Sequence, residues 1–415
     1  MGLMVLPIVG PGGIGKTTLT QNIYKELEHH FEVKLWICVS SINFNVSKLT
    51  QEIADKIKIE GKDCPEIRIE DGLKSKRFLI VLDDMWSCNK EEWNMFLAPF
   101  MKGQKNGNVI LVYIWPNGLG PIVKTTDQWI DLQGLDPISF KELFISHAFG
   151  DKQTMEDHIG LLGTGEKIVK KLKGSPLAAK TVGKLLKNNL DLGHWTRVLD
   201  SKEWESQNGD HDIMPALKLS FDYLPFHLQQ CFTYSALFPE DYKFGEEEII
   251  YFWIGLDVLH SHGENKRIED IGICYLTELV NQGFFKKEDE HGSTYYIIHD
   301  LLHELALKVS GDECLSICCS NNVGSLHIPP SIRHLSINID VSSVKDRKTF
   351  DICKEGFIEL WKRLKVENLH SLMLFGKQQS SFVKTFCGFL TKAQGLRLIF
   401  ISGGKYKLKI YSIIF

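Results

Sequence analysis

The stretch Leu3–Thr18, LMVLPIVGPGGIGKTT, combines a continuous apolar run with a glycine-rich turn and a Gly-Lys-Thr sequence. Residues 10–17 match the pattern G-x-x-x-x-G-K-[ST]. The apolar run predicts a buried strand, and Leu19, Ile23 and Leu27, at four-residue spacing, predict an amphipathic helix directly afterwards. A strand before the turn and a helix after it are the context in which this glycine pattern holds phosphate.

The glycine turn has the residue types that an anion site needs. Its four glycines, between residues 10 and 15, allow backbone N–H groups to wrap around phosphate oxygens, and the following helix points its positive end at the same anion. Lys16 is expected to reach the β- and γ-phosphates, and the Thr17 hydroxyl is expected to ligate Mg²⁺. These residues predict a nucleotide site.

Residues 1–133 alternate strand-like and helical segments, which predicts an α/β fold with a parallel sheet covered on both faces. After the first strand, the strand-like segments are residues 33–40, 78–86 and 108–115, and the helical ones are residues 46–57 and 91–100. The strand FLIVLDD ends in Asp83 and Asp84, where the site opens. We predict that Asp83 serves Mg²⁺ and that Asp84 polarises an attacking water.

Two further modules are predicted downstream of this P-loop domain. Residues 134–210 are typical of a small helical module, and a polar linker follows at residues 201–212. Residues 211–311 include two short strand-like segments joined by a charged turn, followed by a helix from about Asp300. This order of helices, hairpin and helix is typical of a winged-helix module.

Residues 325–415 predict an incomplete leucine-rich-repeat region. The segments IRHLSI (332–337), LHSLML (369–374) and LRLIFI (396–401) fit L-x-x-L-x-L when Ile replaces Leu. Repeats bury their apolar faces only against their neighbours, so three irregular copies also suit a few unrelated strands in a small α/β piece. The ending, residues 405–415, is predicted to offer no polar cap.

Composition excludes several classes of protein. The 415 residues are 43% hydrophobic and 24% charged, which is typical of a globular protein rather than a disordered one. The net charge of −4 leaves no basic surplus for direct nucleic-acid binding. No apolar run approaches the ~18–20 residues of a membrane helix. Ten cysteines without a C-x-x-C pair, and no secretory signal, predict reduced thiols in a cytoplasmic protein.

Patterns for guanine recognition, for ABC transporters and for zinc binding match this sequence less well than the glycine pattern does. Asn89–Glu92 fails the N/T-K-x-D pattern that reads guanine, and Ile401–Gly404 resembles an ABC-transporter signature but lies downstream of the aspartate pair. An adenine nucleotide is therefore the better hypothesis. His299 and His303 have the i, i+4 spacing of zinc ligands, but Asp300 replaces the Glu of H-E-x-x-H and no third ligand is evident. Partly buried structural histidines are the other interpretation.

Five motifs, in this order, resemble the NB-ARC module of plant nucleotide-binding leucine-rich-repeat disease-resistance proteins. They are GPGGIGKTT (10–18), KRFLIVLDDMW (76–86), GSPLA (174–178), CFTYSALFPEDYKF (231–244) and IHD (298–300). The resemblance covers roughly residues 3–311. It implies a molecular switch in which ADP holds a closed form and exchange for ATP permits an open, oligomerising form.

The resemblance also implies a role for each matching position. The residues that would surround the phosphates are Gly10, Gly12, Gly13, Ile14, Gly15, Lys16, Thr17 and Thr18. Thr17 and Asp83 would hold Mg²⁺, and Asp84 would support slow hydrolysis. Pro176 would lie against the adenine. His299 would meet the β-phosphate of ADP.

The chain departs from the family pattern in several places. Compared with that pattern, we expect the chain to lack the N-terminal signalling domain and the segment before the first strand, and to have a shortened repeat region. The family's T-T-R motif, whose Arg senses the γ-phosphate, aligns with Tyr113, Ile114 and Trp115. Tryptophan makes no charge-assisted bond to phosphate, so weak ATP sensing is expected.

The sequence thus predicts an ADP- or ATP-binding switch of plant innate immunity, in a truncated or regulatory form. Its expected partners are full-length immune receptors or pathogen effectors. Two alternatives stay open. An active P-loop ATPase is favoured by Lys16 and Asp84, and a vestigial scaffold that does not signal would bind no nucleotide.

Overall fold

A computed structural model describes residues 2–39, 44–57, 64–102, 106–115, 119–125, 129–209, 211–260, 267–290, 292–318, 327–339, 358–376, 393–403 and 406–412. The chain divides into two compact units. The first unit comprises Met1–Gly183, Leu190–Asp200 and Ser206–Ile213, and the second comprises Lys184–Asn189, Ser201–Glu205 and Met214–Phe415. The predicted four-module division, with boundaries near residues 133, 210 and 311, is finer and stays a prediction.

The first unit contains the predicted parallel sheet. Its strands are β1 (Leu3–Val9), β2 (Val33–Cys38), β3 (Phe78–Met85), β4 (Asn108–Ile114) and β5 (Ile130–Asp131), in the order β2-β3-β4-β1-β5. In β3, Phe78, Ile80 and Leu82 enter one apolar cluster. Leu79 and Val81 enter another. Alternate side chains point to opposite faces of a strand, so this continuous apolar run fills the core on both sides.

Strand β4 lies between β1 and β3, and this order positions the site. Ile114, the last residue of β4, is in register with Val9 of β1 and with Met85 of β3. The register shifts between Leu82 and Met85, so β3 carries one extra residue there. Asp84 lies in this bulge with φ +58°, a left-handed conformation that is uncommon outside glycine.

Helices surround the sheet and continue the first unit. They are α1 (Lys16–Glu26), α2 (Val46–Ile57), α3 (Pro65–Leu73), α4 (Lys90–Leu97), α5 (Gly120–Val123), α6 (Pro137–Phe149), α7 (Lys152–Asp157), α8 (Leu162–Lys171), α9 (Pro176–Lys187) and α10 (Leu192–Leu199), with the end of α9 in the second unit. Asn89–Glu92, tested above as a guanine motif, is a capping box. The Asn89 side chain accepts from the Glu92 N–H, and the Glu92 carboxylate accepts from the Asn89 N–H.

The second unit begins with helices and a hairpin. These elements are α11 (Met214–Asp222), α12 (Phe226–Thr233), α13 (Glu246–Gly255), α14 (Ile268–Gln282), β6 (Lys286–Glu290), β7 (Ser293–Ile297) and α15 (Asp300–Val309). Strands β6 and β7 pair antiparallel, and Phe244 bridges to Tyr296 on the other side of β7. The hairpin and the helix from Asp300 confirm the local prediction for residues 284–300.

A second five-stranded sheet completes this unit. Its strands, in spatial order, are β12 (Tyr406–Ser412), β11 (Leu398–Gly403), β10 (Ser371–Phe375), β9 (His334–Asn338) and β8 (Cys314–Cys318). The three L-x-x-L-x-L segments supply β9, β10 and β11, which pair in parallel. Leu335, Leu372 and Ile399 stand in register across them. A leucine-rich repeat would align its residues in this way, but that assignment stays a prediction.

The chain's ending forms a strand. Residues 405–415 are predicted to offer no polar cap, and this stays a prediction; within them, residues 406–412 form β12 and pair antiparallel with β11. This pairing occupies the backbone edge of β11, since the exposed groups of an edge strand are satisfied by a neighbouring strand. Across the described ranges, no helix combines the length and apolar character that crossing a membrane requires.

Candidate nucleotide-binding site

The glycine turn joins β1 to α1 at the carboxyl edge of the first sheet. β1 ends at Val9, α1 begins at Lys16, and the Gly10 N–H donates to the carbonyl of Ile114 at 3.3 Å. Gly13 and Gly15 have φ +70° and +104°, which side chains other than glycine rarely adopt. A Cβ on Gly15 would have no described atom within 4 Å beyond its chain neighbours. The turn is therefore open at this glycine.

The remaining residues of the turn have distinct surroundings. Gly12 and the Ile14 side chain are buried. Thr17 and Thr18 are exposed in the first turn of α1. The ammonium of Lys16 donates to the carbonyls of Gly10 at 2.8 Å and Pro11 at 3.0 Å. A positive charge is thus held over the turn, beside backbone groups that can face an anion.

The GSPLA segment lies against the glycine turn. The Ser175 hydroxyl and the Leu177 N–H both donate to the Gly13 carbonyl, each at 3.2 Å. A Cβ on Gly13 would lie 3.0 Å from Leu177 and from Ile213, so this glycine also permits close packing. Pro176, the first residue of α9, lies between the two residues that contact the turn. Two motifs separated by about 160 residues thus meet at one place, although the contact of Pro176 with adenine stays a prediction.

The two predicted carboxylates lie near the carboxyl end of β3, at the same sheet edge, and each accepts at least one indole N–H. Asp83 Oδ2 accepts from Trp36 Nε1 at 3.2 Å. Asp84 accepts from two indoles: Trp86 Nε1 donates to Oδ2 at 2.8 Å, and Trp115 Nε1 donates to Oδ1 at 3.2 Å. Hydrogen bonds from indole N–H groups to a carboxylate are charge-assisted, so these contacts orient the two acids.

Trp115 contacts both the glycine turn and the carboxyl end of β3. Its ring stacks on Trp86, with centroids 4.6 Å apart and planes inclined by 26°. The Lys16 ammonium lies 5.1 Å from the Trp115 ring centroid, within the range of a cation–π contact. Trp115 therefore contacts the cation of the turn, the acid of β3 and a second indole.

Tyr113 adds a buried hydroxyl beneath this edge. Its side chain is fully buried, its ring lies 6.2 Å from Trp36, and its hydroxyl has no hydrogen-bond partner among the described residues. Burial, reinforced by the charge of Asp83, raises the pKa of Tyr113 well above its usual value, so the hydroxyl keeps its proton. An orphaned buried hydroxyl usually takes a water or a ligand as its partner.

The residues at this edge of the sheet fit a nucleoside diphosphate with Mg²⁺. The turn provides glycine backbone and a cation, Thr17 provides a hydroxyl, and Asp83 provides a carboxylate, which are groups that phosphate and Mg²⁺ prefer. The described residues contain no cluster of three or more His, Cys, Asp or Glu side chains suited to a metal. A Mg²⁺ ion here would complete its shell with phosphate oxygens and water, as it commonly does.

His299 and His303 have structural partners in the second unit. His299 is the N-cap of α15, and its Nδ1 accepts from the Leu301 N–H at 3.3 Å. His303 is buried, and its Nε2 donates to the carbonyl of Phe238 at 2.8 Å. Burial lowers the pKa of His303, which keeps the ring neutral. The zinc interpretation gains no support, and the predicted role of His299 at the β-phosphate stays a prediction.

Sequence reasoning missed three residues of the site: Trp36, Trp86 and Tyr113. A usable signal existed for Trp86, because it follows Asp84 by two residues within a motif already singled out. For Trp115, the sequence indicated only that the side chain lacks the positive charge of the Arg in the family's T-T-R motif. The donor role of its indole N–H depends on the distance to Asp84, which no local pattern reveals.

The family models match two parts of the chain. Residues 1–130 match the NB-ARC domain, and residues 237–306 match the disease resistance protein winged helix domain. The chain therefore contains an NB-ARC domain. The matches also confirm the winged-helix module and the resemblance to plant disease-resistance proteins.

Two similar proteins are named as plant disease-resistance proteins. The chain is 37% identical over 314 residues to the "Putative disease resistance protein RGA1" of Solanum bulbocastanum, which covers 73% of this chain and 31% of that protein. It is 36% identical over 315 residues to the disease resistance protein RGA2 of the same species, with 73% and 32% covered. The chain thus spans about a third of the length of these relatives.

One solved structure has a weak similarity to this chain. A signal transduction ATPase with numerous domains and a tetratricopeptide repeat sensor, from Pyrococcus horikoshii, is 17% identical with a TM-score of 0.47. The similarity covers 86% of this chain and 46% of that one. At that score the likeness adds nothing to the assignment, which depends on the sequence matches.

Proposed function

We propose that this chain binds ADP or ATP with Mg²⁺ and acts as a nucleotide-dependent switch in plant innate immunity. The main support is that Lys16 and Asp84 both contact Trp115 at one edge of the parallel sheet, beside Asp83. The NB-ARC match over the residues that build this edge adds to it. A cation and carboxylates beside an open glycine turn suit a phosphate chain and its metal ion better than any neutral ligand.

Each site residue has a proposed role. The backbone of residues 10–15 and the start of α1 would hold the phosphates, with Lys16 as the cation and Thr17 and Thr18 as hydroxyl donors. Thr17 and Asp83 would hold Mg²⁺. When bound, Mg²⁺ would neutralise phosphate charge. Asp84 would accept a hydrogen bond from water near the last phosphate, and Pro176 would lie against adenine.

The switch needs a contact that differs between nucleotide states. We assign it to His299, which would meet the β-phosphate of ADP in one state only. A ligand shifts an equilibrium only through different affinities for its two states. The chain would work in the cytoplasm as a truncated or regulatory form of a disease-resistance protein, with full-length receptors or pathogen effectors as partners. The residues from 325 onward would be an incomplete leucine-rich-repeat region.

The test is the nucleotide that the purified protein carries. Denaturation should release ADP in an amount close to one per chain, and the Lys16→Ala variant should release little. Lys124→Ala is the matched control, because Lys124 also lies over an indole ring, that of Trp129 at 4.9 Å, but outside the turn. Loss of ADP from both variants, or from neither, would contradict the assignment of Lys16.

The rival functions give different results in the same preparation. Single-turnover hydrolysis at the ~1–100 s⁻¹ of dedicated phosphotransfer enzymes would favour an active ATPase over a switch. Failure of the unmodified chain to bind either ADP or ATP in a calorimetric titration would favour a vestigial scaffold.

A further inference from the structure

The nucleotide site contains an arrangement that nucleotide binding alone does not require: two indole N–H groups point at one carboxylate. We propose that Trp86 and Trp115 form an indole clamp on Asp84 that suppresses hydrolysis of a bound nucleoside triphosphate. This inference rests on the proposed nucleotide-binding function. It assigns Trp86 and Trp115 as positioning residues that act through Asp84.

The clamp is defined by three contacts. Trp86 Nε1 donates to one oxygen of Asp84 at 2.8 Å, and Trp115 Nε1 donates to the other at 3.2 Å. The two rings stack at 4.6 Å, so each indole holds the other in its donating position. Each of the two oxygens of the carboxylate is thereby engaged by an indole N–H.

The backbone holds Asp84 in place for this contact. Asp84 lies in the β3 bulge with φ +58°, a conformation that costs an ordinary residue some strain and persists only where surrounding contacts support it. Bulges often re-aim a side chain near a functional site. Here the side chain is aimed at the end of β4, where Trp115 begins the next loop.

A further contact, from outside the clamp, positions Trp115. The Lys16 ammonium lies 5.1 Å from the centroid of its ring. The strand order explains this, because β4 lies between β1, which leads to Lys16, and β3, which leads to Asp84. The indole therefore occupies the space between the cation that would bind the phosphates and the acid that would activate water.

The clamp bears on one chemical step. In hydrolysis, water attacks the γ-phosphorus, the bond from that phosphorus to the β–γ bridging oxygen breaks, and ADP and phosphate form. The proton lost by the water goes to a general base, here the Asp84 carboxylate. A carboxylate that already accepts two N–H donors is a poorer proton acceptor, so the step slows even when the water lies within hydrogen-bond distance of Asp84.

The test separates the donor atoms from the rings. Trp115→Phe and Trp86→Phe each keep an aromatic ring but remove one N–H donor. Each should raise the single-turnover rate of ATP hydrolysis by about 10- to 100-fold, because removing one of two donors restores part of the ~10²–10⁴-fold that general-base catalysis contributes. ATP affinity, measured separately, should stay close to that of the unmodified chain. Trp129→Phe is the control, because Trp129 is a partly exposed indole of the same unit outside the clamp.

The clamp can also be tested without nucleotide. Stacked indoles give a coupled signal in near-ultraviolet circular dichroism. Trp115→Phe and Trp86→Phe should each remove this signal, and the double variant should lose no more than either single one. Thermal unfolding of each variant would show that it remains folded. Separate, additive losses would overturn the stack whatever the nucleotide results are.

The outcomes distinguish the two proposals. If the unmodified chain binds ATP but hydrolysis stays unchanged in both Phe variants, the clamp is wrong and nucleotide binding stands. If the dichroism shows the stack but the chain binds no nucleotide, the proposed function fails, and with it the suppression of hydrolysis, while the indole stack remains. A rise in rate for Trp129→Phe as well would also count against the clamp.

Discussion

The two five-stranded sheets of this chain share a pattern of parallel strands but differ in the loops at the strand ends. In the first, the carboxyl ends of β1, β3 and β4 bring a glycine turn, two aspartates and Trp115 to one edge. In the second, the registered positions of β9, β10 and β11 hold buried Leu335, Leu372 and Ile399. Parallel strands supply a core in both sheets. The candidate nucleotide site lies in the first sheet because charged and polar side chains come together there at the carboxyl ends of neighbouring strands.

The largest expected effect compares one buried leucine from each sheet. Leu79→Ala in β3 and Leu372→Ala in β10 each remove a fully buried side chain, and each should lower the free energy of unfolding of its own unit by about 2–5 kcal/mol. Denaturant unfolding measures this. ADP affinity of the folded protein should fall for Leu79→Ala and hold for Leu372→Ala. Equal losses of ADP affinity in the two variants would contradict the proposal that only the first sheet carries the nucleotide site.

Lys16→Ala should have the next largest effect, on binding alone. Removing the ammonium deletes a charge-assisted contact to phosphate, and ADP affinity should fall by about 100-fold, or about 2.7 kcal/mol. Isothermal titration with Lys124→Ala as the control measures it. Unchanged ADP affinity in Lys16→Ala would remove the turn from the nucleotide site.

Acid should act on the second sheet through a buried histidine. Burial lowers the pKa of His334 to about 3, and its Nδ1 lies 2.9 Å from the Ser371 hydroxyl. Unfolding restores a pKa near 6.5 and takes up a proton, so stability present above pH 6.5 is lost as pH falls toward 3. The loss should be about 1.4 kcal/mol per pH unit below 6.5.

Unfolding of the second unit, followed by denaturant from pH 7 to pH 5, measures this loss. His334→Gln should flatten the dependence on pH. His30→Gln, which changes an exposed histidine, should leave it as it is. A His334→Gln variant with the original slope would show that other groups govern the acid response.

The smallest expected effect concerns the backbone of the glycine turn. Gly15→Ala places a side chain at φ +104°, and Gly209→Ala does so at φ +83°, both without a steric neighbour in the described parts of the chain. Each should cost about 1 kcal/mol of stability. Only Gly15→Ala should weaken ADP binding, by about 10-fold. Similar affinities in the two variants would show that the turn tolerates a side chain where phosphate is proposed to lie.

Much of the first sheet and the hairpin could be predicted because their signals are local. The run of residues 78–82, the glycine turn and the charged turn of residues 286–297 each depend on neighbours within a few residues. The pairing of residues 406–412 with β11 could not be predicted, because strand pairing depends on which backbone edge is unoccupied. The indole donors to Asp84 escaped prediction for a similar reason.

Local patterns in the sequence were enough to predict the strand–turn–helix around Lys16, the acidic end of β3 and the apolar segments that form both sheets. These features depend on backbone freedom and side-chain polarity over short distances. Only the tertiary structure placed β4 between β1 and β3 and so put Trp115 between Lys16 and Asp84. Strand order is set by the packing of segments far apart in the chain, since β4 pairs with β1 across 105 residues and with β3 across 30, and no short pattern encodes it.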